Sequence, residues 1–275
     1  MKQRPLSRIV PPTRVLVSGR TEKTRSCFAD RPSGLDEWIL IYNEAGRSYF
    51  KYPGGEIKGH ADDVMLIRPG TPHEFGLDKE HGHWKQTWAH FLPRPHCIDW
   101  LQWPEFAPGM MHLHLEEAVS EQVRMELYKM DIAAHGRDHR HEEFAVNALE
   151  RALLLCDSQI MRDDKPRLDA RIGKAIDHLT RHPTGHFCVE DLAHRCGLSR
   201  ARFAELFRKQ VGQSPLAFLE QHRLRRAREL LHHTSLSLAE VAEQSGFASA
   251  YYFSLRFKKH CSVCPSHYRL TVRQK

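Results

Sequence analysis

Apolar and polar residues fall in short runs over the first hundred positions and then switch to helical spacing. Runs rich in branched and aromatic residues at 14–17, 38–42, 47–52, 64–67 and 84–91 predict strands. Turn clusters such as Asn43-Glu44-Ala45-Gly46, Pro53-Gly54-Gly55 and Pro69-Gly70-Thr71-Pro72 separate them. Strands at this spacing predict a small barrel or jelly roll that ends near Pro108. Helical patterns start near Glu116 and near Glu142. From Phe144 to Ile160 the positions Phe144, Ala148, Leu149, Ala152, Leu153, Cys156 and Ile160 make one apolar stripe. Asp163-Asp164-Lys165-Pro166-Arg167 breaks that helix and reads as a linker. A helix then runs from Leu168 to Thr180 with Ile172, Ala175, Ile176 and Leu179 inward, and His182-Pro183-Thr184-Gly185 stops it.

The rest of the chain repeats one helical pattern. Val189 to Cys196 leads through Gly197-Leu198-Ser199 into residues 200–209; Leu238 to Ser245 leads through Gly246-Phe247-Ala248-Ser249 into residues 251–259. A glycine just after an apolar-periodic run supplies the left-handed conformation that ends a helix. Ala193 and Ala242, four residues earlier, are small enough for the paired helices to approach closely, and the spacing is that of helix-turn-helix. Ser199 is placed to cap the helix after the first turn, and Ser237 with Glu240 forms a capping box. Leu206 and Phe207, then Phe253 and Phe257, give each second helix an apolar face. Pro215 opens a connecting helix to about His232, roughly 27 Å long at 1.5 Å per residue. That length can hold two recognition helices about one DNA turn, near 34 Å, apart.

Charge sharpens the division. The net charge is +7, yet from Leu168 onward 18 Lys+Arg face 9 Asp+Glu, so the C-terminal part carries +9 and the rest −2. A basic module joined to a domain with another task fits a phosphate-binding protein. The 275 residues suffice for two cores. No apolar run reaches the length of a membrane span, the N-terminus has no apolar signal core, and seven scattered cysteines suit a reducing cytoplasm. Cys188 and Cys196 read as packing residues, and Cys261-Ser262-Val263-Cys264 as a coincidental spacing without a partner pair.

The tandem units resemble the DNA-binding domain of the AraC/XylS family of bacterial transcription regulators. The resemblance covers about the last hundred residues: Leu-Ser-x-x-x-Phe-x-x-Leu-Phe-Arg from Leu198 to Arg208, Gly212-Gln213-Ser214-Pro215, Arg223-Leu224, Ala227, Leu230-Leu231, Gly246-Phe247, Tyr252-Phe253, Phe257-Lys258-Lys259, Pro265-Ser266 and Tyr268-Arg269. With the second helix of each unit in a major groove, the outward positions Arg200, Ala201, Arg202, Glu205 and Arg208, then Ser249, Ala250, Tyr251, Ser254 and Arg256, face base edges. Lys209, Lys258 and Lys259 face phosphates.

In the first half, Arg31-Pro32-Ser33-Gly34, Trp84-x-x-x-Trp88-x-x-Phe91-x-Pro93-Arg94 and Trp100-Leu101-x-Trp103-Pro104 resemble the sugar-sensing domain of the family's arabinose-responsive members. That resemblance implies a pocket lined by Pro5, Thr21, Arg31, Phe75, Gln86 and Trp88, with Phe75 and Gln86 departing from the family's Tyr and His. An arginine and a threonine can bond ring hydroxyls, and an indole can stack on a pyranose face. Residues 63–73 resemble the second motif of cupin barrels. No His-x-His pair stands where an earlier cupin motif would supply one, so His73 reads as a hydrogen-bonded turn residue and no metal or cofactor is expected.

The expectation is therefore an α+β protein: an arm of residues 1–14, a cupin-like β-barrel with dimerisation helices over 15–162, a linker at 163–167, and an all-α domain with two helix-turn-helix units over 168–275. Its function is expected to be that of a cytoplasmic, homodimeric activator of sugar-utilisation genes, not an enzyme and not bound to a membrane. It would bind double-stranded DNA and a monosaccharide effector and, as the resemblance implies, RNA polymerase. The rival expectations are a metal-dependent cupin enzyme fused to a DNA-binding module and a barrel that only dimerises.

Overall fold

A computed structural model describes residues 15–25, 28–137, 140–161, 167–185 and 187–273. They belong to two compact units that divide between Arg167 and Leu168. The arm with Pro5, and linker residues 163–166, lie outside the described residues.

The first unit holds strands β1 (Leu16–Lys23), β2 (Phe28–Arg31), β3 (Trp38–Gly46), β4 (Ser48–Tyr52), β5 (Gly55–Gly59), β6 (Asp63–Ile67), β7 (His73–Leu77) and β8 (Trp84–Phe91). A 3-10 helix, η1 (Pro95–Leu101), follows, then β9 (Glu105–Ala107), β10 (Met110–His114), α1 (Glu117–Ala134) and α2 (His141–Ser158). The strands form two antiparallel sheets, β1-β8-β3-β6-β10-β9 and β2-β7-β4-β5, which make a barrel-like sandwich. Strand β3 shows how the sequence builds it. Trp38, Leu40 and Tyr42 join the core under α1 and α2, while Ile39 and Ile41 join the core between the sheets. Both faces are buried, so this strand reads as a continuous apolar run, as β6 does.

The helices cover the outer face of the six-stranded sheet. Val123, Leu127 and Met130 of α1 and Ala145, Leu149, Ala152, Leu153 and Cys156 of α2 share one core with that sheet. Phe144 corrects the expected stripe: it is 60% exposed, because α2 turns Ala145 and Val146 inward instead.

The second unit is all helical: α3 (Ala170–Arg181), α4 (Val189–Arg195), α5 (Arg200–Val211), α6 (Pro215–His233), α7 (Leu238–Ser245), α8 (Ala250–Cys261) and α9 (Pro265–Arg273). Serines open four of these helices. Ser199, Ser214 and Ser249 accept from backbone N–H groups of α5, α6 and α8, and Ser237 makes a reciprocal capping box with Glu240 at α7. Helix α6 serves both halves. Near its start Phe218 packs on Phe207 of α5, and toward its end Leu224, Ala227 and Leu231 share a core with Val241, Phe253 and Phe257. The cysteines need one correction: Cys196 is buried, but Cys188 is exposed and its Sγ caps α4 by accepting from the Asp191 N–H at 3.3 Å. Cys261 is buried and Cys264 exposed, and no disulfide joins them.

Candidate effector pocket and DNA interface

Each helix-turn-helix closes in the same way. Gly197 N–H donates to His194 O at 2.9 Å and Leu198 N–H to Ala193 O at 3.0 Å; Gly246 and Phe247 repeat this on Glu243 and Ala242 at 2.9 Å each. Both glycines are left-handed, with φ of 64° and 86°. This pair of bonds is the Schellman closure of a helix. It directs the chain straight into α5 and α8.

Those two helices begin 50 residues apart, and residues 201–210 have the same burial pattern, position for position, as residues 251–260. On α5, Arg200, Ala201, Arg202, Glu205, Arg208 and Lys209 are all exposed. Arg200 pairs with Glu190 at 2.8 Å and Arg202 with Glu205 at 3.0 Å. On α8, Tyr251 is 81% exposed and Lys258 and Lys259 face solvent. Ser249 is the N-cap, Ala250 is half-buried, and Ser254 donates to Ala250 O at 2.8 Å. Arg256 departs from expectation. It lies at the register position of half-buried Leu206, and both its Nε and its Nη2 bond the Glu220 carboxylate of α6, so it faces the scaffold. The same register adds Tyr252 and Leu255, which are exposed opposite Arg202 and Glu205. Reading the repeat position by position would have found both.

Between the sheets of the first unit, pairing places the other named residues on the inward face. Thr21 stands opposite Gln86 on β1 and β8, Gly19 opposite Trp88, Ala29 opposite Phe75 and Arg31 opposite His73 on β2 and β7. Gln86 is buried and its Nε2 donates to Thr21 Oγ1 at 3.0 Å. The indole of Trp88 lies across Gly19, where an added Cβ would come within 2.6 Å of the ring. Pro5 lies outside the described residues.

His73 was not among the expected pocket residues. It is 4% exposed, stacks on Phe75 with ring centroids 5.8 Å apart, and its Nδ1 bonds Thr71 O at 2.7 Å. A carbonyl only accepts, so Nδ1 carries the proton. Burial holds the imidazole below its ordinary pKa, which keeps it neutral and makes Nε2 an acceptor. Among the described residues, His73 Nε2 and Gln86 Oε1 are buried with no hydrogen-bond partner. Such acceptors call for a donor.

A barrel with polar groups aimed inward, joined to tandem helix-turn-helix units, defines a ligand-responsive DNA-binding transcription regulator. Residues 28–143 match the family model described as an AraC-like ligand binding domain, and residues 192–271 match a helix-turn-helix domain. The chain is 30% identical over 249 residues to the arabinose operon regulatory protein of Escherichia coli K12, covering 90% of this chain and 85% of that protein. It is 26% identical to the MmsAB operon regulatory protein of Pseudomonas aeruginosa, over 98% and 86% of the two chains. The solved DNA-binding domain of AdpA, in complex with a target DNA, is 31% identical over 38% of this chain and 94% of that one, with a TM-score of 0.37. The protein belongs to the AraC family of transcription regulators. No helix among the described residues is long and apolar enough to cross a membrane.

Proposed function

We propose that this regulator senses a neutral, polyhydroxylated small molecule of the monosaccharide class and activates genes for its use. The observation that carries this reading is the pair of buried acceptors without partners, His73 Nε2 and Gln86 Oε1, on the inward face that also bears Arg31, Thr21 and Trp88. Hydroxyls satisfy acceptors, the guanidinium of Arg31 donates to ring or hydroxyl oxygens, and the indole stacks on the apolar face of a sugar ring. A carboxylate would leave both acceptors unpaired. Phe75 contributes apolar surface. The family resemblance assigns Pro5 of the arm, which lies outside the described residues, to the same ligand, and a switch requires that the ligand bind one arrangement of the protein better than the other.

On the DNA side, Arg200, Ala201, Arg202, Glu205 and Arg208 of α5 and Ser249, Ala250, Tyr251, Tyr252, Ser254 and Leu255 of α8 meet base edges. Lys209, Lys258 and Lys259 meet phosphates. The chain divides into the arm over 1–14, a sensing domain over 15–162, a linker at 163–167 and a DNA-binding domain over 168–275. A homodimer forms through the helical face on which Met125, Tyr128 and Ile132 are exposed at i, i+3 and i+7 on α1. The protein works in the cytoplasm with RNA polymerase as its partner.

The test is thermal stabilisation of the full chain by pentoses, hexoses and their acids, repeated with Arg31→Ala and Trp88→Ala. Ligand that binds only the folded state stabilises it by RT ln(1 + [L]/Kd). A shift with a neutral sugar, lost in both variants, is expected. A shift with sugar acids alone, or with none of the panel, overturns the reading.

A further inference from the structure

We propose that His96, Cys97 and Glu150 form a binding site for a borderline-soft divalent cation of the zinc class, outside the barrel, joining η1 to α2. His96 and Cys97 are consecutive residues near the start of η1, and Glu150 lies in the middle of α2. Glu150 Oε1 stands 3.3 Å from Cys97 Sγ and 3.6 Å from His96 Nε2, and all three ligand atoms lie within 4.8 Å of one another. A tetrahedral zinc ion with bonds of about 2.0–2.3 Å separates its ligands by roughly 3.4–3.6 Å. The two distances from Glu150 are close to those of adjacent corners, and the third, between Cys97 and His96, lies within 4.8 Å, so a rotation of the exposed His96 side chain is enough to close the site around a cation.

The donor set narrows the ion. A thiolate, an imidazole and a carboxylate together suit zinc or a similar transition metal, whereas magnesium and calcium take oxygen ligands. The carboxylate is already oriented. Arg94 Nη1 donates to its other oxygen, Oε2, at 3.2 Å and to Asn147 Oδ1 at 3.3 Å. A group that holds a ligand from behind in this way is a regular part of protein metal sites. Arg94 bonds the oxygen that faces neither Cys97 nor His96, and one guanidinium charge against one thiolate and one carboxylate leaves the pocket anionic once the thiol ionises.

Access follows the burial. Cys97 is 1% exposed, but the His96 side chain is 56% exposed, so an ion enters from the histidine side and keeps its fourth position for water. Without metal the thiol donates to Glu150. Binding therefore replaces the thiol proton: Cys–SH + M²⁺ gives Cys–S–M⁺ + H⁺, with neutral His96 and ionised Glu150 completing the set. Affinity rises with pH. The bound ion cross-links the segment between β8 and β9 to the helix that covers the outer sheet.

The test uses cobalt(II), which reports thiolate ligation by a charge-transfer absorption that zinc then bleaches. The 275-residue chain carries Cys188→Ser and Cys264→Ser, which remove the exposed thiols, and Cys27→Ser, so that none of these supplies the band. One cobalt per chain with the thiolate band is expected, and the band disappears in Cys97→Ala. His96→Ala, on an exposed side chain that leaves the fold intact, and Glu150→Gln each weaken binding by about a hundredfold or more, since losing even a group that only orients a ligand costs about 10–100-fold. Absence of the band in the background protein overturns the site. So does a band that survives Cys97→Ala, or an affinity unchanged by His96→Ala in a protein with an unaltered circular dichroism spectrum.

Discussion

Gly197 and Gly246 occupy the same place in the two helix-turn-helix units, yet replacing each with alanine should have unequal effects. Both are left-handed, and an L-residue pays roughly 1–2 kcal/mol to adopt that conformation. At Gly197 an added Cβ meets nothing within 4 Å, so backbone strain is the whole effect. At Gly246 the same Cβ would lie 2.3 Å from Pro183 O and 2.8 Å from Arg223 Nε. These two atoms are hydrogen-bonded to each other at 2.6 Å, and Arg223 also holds Gly185 O at 2.8 Å, so relief on either side disturbs a half-buried, charge-assisted bond. Losing such a bond costs about 1.5–3 kcal/mol. The expected totals are about 1–2 kcal/mol for Gly197→Ala and about 3–5 kcal/mol for Gly246→Ala. For a domain of this size 1 kcal/mol moves the melting point by about 4–8 °C. Calorimetry of the full chain should therefore show a modest shift for the first variant and a clearly larger one, about twice or more, for the second. Equal shifts, or a larger one at Gly197, would refute the argument that contact with Pro183 and Arg223 separates the two sites.

Three further outcomes follow from the same geometry. Gly19→Ala pushes a methyl into the Trp88 indole, so effector-induced stabilisation should fall while DNA binding stays, as a thermal-shift and a gel-shift assay together would show. Burial works against ionised Glu44, but Arg20, Thr87 and Lys85 outweigh it and bring the carboxyl from 4.5 down to about 2. A depressed folded-state pKa contributes stability above the unfolded value that is lost as pH falls through the folded one; the stability gap between the protein and Glu44→Gln should shrink from pH 4.5 toward about 2 in acid titrations, and a constant gap would exclude that linkage. Lys259→Ala should lower the slope of log affinity against log salt by about 0.9, the value for one phosphate contact, whereas Arg256→Ala should leave that slope unchanged because Glu220 already holds the guanidinium.

What could be read from the sequence follows from how local each cause is. The helix-turn-helix units are legible because caps, glycines and apolar faces lie within a few residues of the turns they shape. Strands β3, β6 and β8 are legible because helices cover one face of their sheet and the second sheet covers the other, which fills their sequences with large apolar residues. Strands β2, β5 and β7 of the smaller sheet, and β9 and β10, are not. Gly55-Glu56-Ile57-Lys58-Gly59 becomes a strand through pairing with β4, and no local pattern announces it. Phe144 misled because a seven-position stripe tolerates a shift of one residue, and only the packing of α1 selects Ala145 and Val146. Arg256 misled for a similar reason: its partner is 36 residues away on α6. His73 drew notice as a possible ligand to a metal, but the nitrogen it leaves open is set by Thr71 O, a contact that only the folded turn provides.

The repeat carries one more consequence for recognition. Helices α5 and α8 share the burial of every position from 201 to 210 and from 251 to 260, so the scaffold presents two equivalent surfaces. Their chemistry is not equivalent. The first turns differ, with Arg200, Ala201 and Arg202 against Ala250, Tyr251 and Tyr252, and Glu205 stands against Leu255; the last turns agree, with Arg208-Lys209 against Lys258-Lys259. On the proposed docking, the residues shared by both helices are those suited to phosphates, which hold register on any sequence, while the ones that differ are those assigned to base edges. On the proposed docking, α5 brings charged donors and an acceptor for guanine and cytosine, and α8 brings aromatic and aliphatic surface suited to thymine methyls. One polypeptide with two unlike readers, linked by an α6 of roughly 28 Å, calls for a half-site of two unlike blocks about one turn apart, each altered separately by substitution in its own helix.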